Sequence, residues 1–161
     1  MKVSIEQLCS LVAAPLRQAG ASEAMAQSAA RALVLAEAQG LGSHGLSRVA
    51  QYATHLRNGR VDGAAVPRLL RRRGGALVID AAEGLAFGAC ALAVQEAIAA
   101  AREHGVALAG VVRSQHCGVL VDHLRAVTQA GMVCRRRAGG IRSSAPTRWP
   151  PPSRARRPTR C

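Results

Sequence analysis

Apolar residues recur at helical spacing through the first third of the chain: Ile5, Leu8, Leu11, Val12 and Leu16, then Ala26, Ala29, Ala30, Leu33, Val34 and Ala36. This period predicts two helices. Ser4 caps the first, which runs to about Gln18, meets a kink or early end at Pro15, and stops at Gly20. Ser22, with Glu23 next, opens the second, which runs to about Gln39 before Gly40-Leu41-Gly42. Its alanines permit close helix packing. A third stripe (Leu46, Val49, Ala50, Ala53, Leu56) predicts a helix from His44 to about Arg57, capped by Ser43 and closed by Asn58-Gly59.

Beyond the Asp62-Gly63 turn and Pro67 the period shortens. Leu69-Leu70 and Ala76 to Ile79 predict two short strands, with Arg71-Arg72-Arg73 a solvated strand end or turn. Asp80 to Gly88 is expected to be a glycine-bearing loop, and Cys90 to Glu103 a helix ended by His104-Gly105. The continuous apolar run Val106 to Val112 predicts a buried strand, Val119 to Ala130 a helix, and Met132-Val133 the start of a strand that is cut short. Alternating helices and strands place the chain in the α/β class.

Composition divides the chain. Residues 134–161 hold nine Arg and no acid, while the other 133 residues carry thirteen Lys and Arg against nine acids. The body, residues 1–133, is one domain, and the Arg- and Pro-rich tail cannot bury enough apolar surface to order itself. Arginines of this density bind nucleic acid when displayed, but Trp149 is the tail's only aromatic, so sequence-specific recognition is poorly supported. The alternative function is therefore a non-catalytic, dimerising protein whose tail holds nucleic acid. No apolar run is long enough to span a bilayer and no export signal opens the chain, so a cytoplasmic location is expected. Five scattered cysteines with no C-x-x-C pair fit reduced thiols rather than a disulfide framework, with Cys9 and Cys90 as small core residues.

The candidate chemistry lies in Gly42-Ser43-His44-Gly45-Leu46-Ser47-Arg48 and Ser114-Gln115-His116-Cys117-Gly118. On a helix, His44 and Arg48 share one face in the first turns, where free N–H groups favour an anion. Arg48 can grip a carboxylate through two parallel hydrogen bonds. His116, in a turn after an apolar strand, has the titration range of a general base. Each has a plainer reading, as a solvated helix start or a backbone-satisfied histidine. His116, Cys117 and His123 match no zinc spacing, so no metal is expected, and His55, His104 and His123 are ordinary helix residues. No G-x-G-x-x-G follows a strand, which excludes a Rossmann nucleotide site.

Taken in order, Ala36 to Arg48, Tyr52, Leu56-Arg57-Asn58-Gly59-Arg60, Asp80, Gly84, Ala109-Gly110-Val111-Val112, Ser114 and His116-x-Gly118 resemble the type 2 malate/L-lactate dehydrogenase family, which also holds ureidoglycolate and sulfolactate dehydrogenases and a cyclic-imine reductase. The resemblance implies a non-Rossmann α/β fold, a homodimer, and NAD- or NADP-dependent oxidation of a small 2-hydroxy acid. It implies His116 as proton acceptor, Arg48 as carboxylate holder and His44 as the group that polarises or positions the oxygen. Cys117 stands where the family usually has Phe. The family continues past Val133 with glycine-rich segments that carry much of the cofactor site. The chain is thus expected to be an N-terminal half, inactive alone, with a tail from about residue 134 that has the composition of out-of-frame GC-rich DNA.

Overall fold

The computed structural model describes residues 3–135, so the predicted tail lies almost wholly outside the described residues. Its elements are α1 (Ile5–Gln18), α2 (Glu23–Ala38), α3 (Val49–Arg57), β1 (Arg68–Arg73), β2 (Ala76–Asp80), α4 (Ala86–His104), β3 (Leu108–Val112) and α5 (Leu120–Gln129). No described helix is long and apolar enough to cross a membrane.

Two of the three predicted serine caps form, Ser4 on α1 and Ser22 on α2. Ser4 accepts from the Gln7 N–H while the Gln7 side chain returns to the Ser4 N–H, and Ser22 accepts from the Met25 N–H. Pro15 does not end α1, which continues to Gln18. Val12, Ala13 and Leu16 are buried on either side of the proline, so packing against α2 outweighs the missing backbone bond. The alanines of α2 lie at the centre of the main core, among Leu16, Leu33, Val34, Tyr52, Leu56 and Phe87. Burying a side chain such as Leu16 or Leu33 contributes roughly 1.5–3 kcal/mol.

The sheet has the order β1-β2-β3. β1 and β2 form an antiparallel hairpin about Gly74-Gly75, so the three arginines are the solvated end of β1, which is exposed throughout, and not its turn. β2 and β3 are parallel, joined by α4, which packs on one face of the sheet. The other face stays open, with Leu108 and Leu70 exposed.

Three boundaries differ from expectation. The helix predicted from Cys90 begins at Ala86, because Ala86, Phe87 and Ala89 are buried under the core and the expected loop residues are its first turn. β3 begins at Leu108, leaving Val106 exposed, and Met132-Val133 form no strand. The third helix begins only at Val49, for reasons that belong to the site.

The C-terminal ends of β2 and β3 are tied by one buried charge. Asp80 is 1% exposed. Its carboxylate accepts from Arg113 Nε at 2.8 Å, from Arg113 Nη2, and from the Ala82 N–H at 2.9 Å, with Arg68 3.4 Å away. The Arg113 and Ala82 hydrogen bonds hold the Asp80 pKa down, at about 2. Ala82, Glu83 and Arg113 all have positive φ, a strain that this pairing holds in place. Two backbone bonds, Ala81 N–H to the Val112 carbonyl and Glu83 N–H to the Arg113 carbonyl, finish the join.

Because folding lowers the Asp80 pKa, its contribution is complete above the unfolded carboxyl range and is lost as pH falls towards 2. In Asp80→Asn, urea midpoints at pH 5 and pH 2.5 should lie closer together than in the parent chain. An unchanged gap would mean that another carboxylate controls the acid limb.

Candidate active site

The segment between α2 and α3 is two 3-10 turns, Gly42–His44 and Leu46–Arg48, joined at Gly45. Glu37 on α2 dictates this break. Its carboxylate accepts the Leu46 N–H at 2.9 Å, and a Cβ on Gly45 would lie 2.1 Å from that carboxylate and 3.1 Å from the Glu37 backbone N. A glycine is therefore required where the chain crosses α2, and its extended φ and ψ interrupt the helix. His44 and Arg48 thus precede α3, so the anion-binding helix start predicted for them is not present, and Ser43 caps no helix. Ser43 Oγ instead lies 3.0 Å from His44 Nδ1.

Arg48 folds back over this turn. Its Nε donates to the Ser43 carbonyl at 2.6 Å and its Nη1 to Gln51 Oε1 at 2.9 Å. These bonds fix the guanidinium and leave donors on Nη2.

His116 arrives from the other side of the molecule, on the connection after Arg113 at the end of β3. Its ring centroid lies 5.6 Å from that of His44. The Tyr52 hydroxyl is 2.9 Å from His116 Nδ1, and the Gly118 N–H donates to the same nitrogen at 3.1 Å. A nitrogen that accepts a backbone N–H carries no proton, so the neutral ring bears its hydrogen on Nε2. Tyr52 is 2% exposed and packs edge-on to Phe87, so its ring belongs to the main core while its hydroxyl belongs to the site.

The electrostatics follow from these neighbours. Burial lowers the His116 pKa, and the neighbouring Arg48 guanidinium and His44 ring lower it further, so the ring is neutral near pH 7. Burial pushes the Tyr52 phenol up to about 12, so it stays protonated and can donate to Nδ1. Should Nδ1 gain a proton, the same hydroxyl can turn and accept it.

The three predicted site residues, His44, Arg48 and His116, are thus gathered in one place. Two participants were not predicted. Tyr52 stands in the sequence pattern without a role, and Glu37 is not singled out there. His123 sits in α5 as expected, but its Nε2 bonds the Cys117 carbonyl at 2.7 Å, which braces the His116 turn. Among the described residues no cluster of three metal-ligating side chains occurs.

The sequence model of the malate/L-lactate dehydrogenases matches residues 3–147. The chain belongs to this family. It is 37% identical over 131 residues to (2R)-3-sulfolactate dehydrogenase (NADP(+)) of Chromohalobacter salexigens, covering 81% of this chain and 39% of that protein. It is 31% identical over 133 residues to ureidoglycolate dehydrogenase (NAD(+)) of Escherichia coli O157:H7, covering 83% and 38%. The malate dehydrogenase structure from Pyrococcus horikoshii superposes with a TM-score of 0.74 at 26% identity, over 81% of this chain and 38% of that one. The chain thus spans about two fifths of the length of these relatives, and the fold is that of the family.

Two variants separate charge from hydrogen bonding at His116. Arg48→Gln removes a nearby positive charge, so the His116 pKa should rise towards its ordinary value in a proton NMR titration. Tyr52→Phe leaves Nδ1 only the Gly118 N–H, so the Nε2–H population read from ring 15N shifts should fall. A lower His116 pKa in the first variant would show that Arg48 does not face the ring.

Proposed function

We propose that residues 1–133 form the substrate-acid half of a nicotinamide-dependent oxidoreductase that interconverts small 2-hydroxy and 2-oxo acids. The observation that carries this reading is the approach of His44 and His116 to a 5.6 Å ring separation beside Arg48. Arg48, pre-set by Ser43 and Gln51, holds the carboxylate. His44 positions the oxygen on C2.

His116 takes the hydroxyl proton. Its lowered pKa keeps the ring neutral at neutral pH, and Nε2 takes the hydroxyl proton from the tautomer that carries the ring hydrogen on Nδ1, in which the Gly118 bond is given up and the Tyr52 hydroxyl turns to accept. The reverse direction returns that proton. The positive charge that appears on His116 is opposed by Arg48 until an anionic substrate neutralises that guanidinium, so proton transfer is coupled to carboxylate binding.

The nicotinamide nucleotide, when bound, accepts or supplies the hydride at C2. Residues 3–135 do not fit its phosphates. The β2–α4 connection has one glycine, Gly84, and a Cβ there would meet Ala65 at 2.8 Å and Met25 at 3.1 Å, so that glycine serves packing. No hydride step is therefore derived from this chain. Two relatives are named for NADP(+) and NAD(+), and the reading takes the cofactor to be NAD or NADP, held by the part of those relatives that this chain does not span. It also takes the protein to be a homodimer, as the family resemblance implies, and to be cytoplasmic.

Isothermal titration with oxalate and malate tests the half-site without cofactor. Binding should weaken about tenfold to a hundredfold in Arg48→Gln, the loss of a charge-assisted pair of roughly 1.5–3 kcal/mol. It should also shift the His116 ring signals. Equal affinity in parent and variant would overturn the assignment of Arg48.

A further inference from the structure

The Cys117 thiol is not a simple replacement for an aromatic side chain. It sits in the His116 turn, which two contacts press against neighbouring helices. The Cys117 carbonyl takes the His123 bond from α5, and Gly118 has φ +68° with its Cβ position 2.7 Å from the Phe87 ring of α4. Cys90 lies three residues after Phe87 on the same side of α4. The two sulfur groups meet there, thiol to thiol, in a hydrogen bond. Both residues are half-buried, so neither is shut off from solvent, and Cys90 is not the core residue that its apolar neighbours predict.

We propose that Cys90 and Cys117 form a reversible disulfide that fastens the His116 turn to α4. The oxidant is a small diffusible disulfide, such as oxidised glutathione. The Cys117 thiolate attacks one of its sulfurs, forming a mixed disulfide and releasing one small thiol. Cys90 then loses its proton and attacks the Cys117 sulfur, which releases the second small thiol. One disulfide bond is broken and one is formed, so the protein loses two electrons and two protons while the small disulfide gains them.

The order of attack follows from the pair's electrostatics. The Cys90 pKa is raised, first by its hydrogen bond to Cys117, then by burial, then by the negative charge of Cys117. Cys90 therefore holds its proton the more firmly of the two, which makes Cys117 the entering nucleophile and Cys90 the resolving one. The other described cysteines are placed elsewhere. Cys9 packs against the main core from α1, and Cys134 is exposed beyond α5.

The consequence is local. The bond closes the loop of chain that contains most of α4 and all of β3, and it removes freedom from the turn that carries His116. It requires no ligand and no cofactor, so its failure would leave the substrate-acid reading untouched.

The full chain, incubated with reduced and then oxidised glutathione, tests it. Of its five thiols, two should be lost to alkylation, and tryptic peptides 74–102 and 114–125 should appear joined and separate again with dithiothreitol. Amide exchange at residues 115–118 should slow by about tenfold on oxidation. In Cys90→Ser, Cys117 should instead remain capped by one glutathione. Cross-links spread evenly over Cys9, Cys134 and Cys161 would overturn the proposal, as would a parent chain in which Cys117 stays capped.

Discussion

The buried carboxylate of Asp80 holds the architecture at the point where it becomes a site. Parallel strands need a crossover to bring them together, and the backbone ladder alone does not say where the chain goes after it. Here Arg113 folds back onto Asp80 in a two-pronged pair, and the chain leaves β3 through a positive φ that a non-glycine residue adopts only under constraint. The direction of that exit aims the following three residues at the start of α3. The pair is costly to bury and is satisfied at every oxygen, which is the condition under which a buried charge specifies a conformation.

From the opposite side, Glu37 performs the same kind of task without a cation. Its carboxylate takes the place of a helix cap for Leu46 and forces the break at Gly45. His44 and Arg48 are therefore set by an acid on the preceding helix, and His116 by an acid on β2, the strand beside the one it follows. Two anions outside the site position three basic groups within it, of which Arg48 is the fixed cation.

This division explains what the sequence could disclose. The helices were legible because their apolar stripes repeat at 3.6 residues, and the capping serines stand where the stripes begin. The three basic site residues were legible because they stand in two short glycine-bearing segments, Gly42 to Arg48 and Ser114 to Gly118. The start of α3 was not, since local spacing favours a helix from His44 and only a side chain from another helix breaks it. The first turn of α4 was hidden for a related reason: Gly84 and Gly88 bracket it as they would a loop, and burial of Ala86, Phe87 and Ala89 makes it helical. Tyr52 was visible but mute, because nothing in a sequence shows that a core aromatic ends beside an imidazole 64 positions later.

Tyr52 has a further consequence. One end of the ring fills the space between Leu56 and Phe87 in the main core, and the other end sets which nitrogen of His116 is protonated. Any replacement large enough to preserve the fold but lacking the hydroxyl alters the chemistry, and any that alters the ring loosens the fold. Variation at this position is thus screened twice, and evolutionary drift in the acid–base behaviour of the protein must proceed through the residues around Tyr52 rather than through Tyr52 itself.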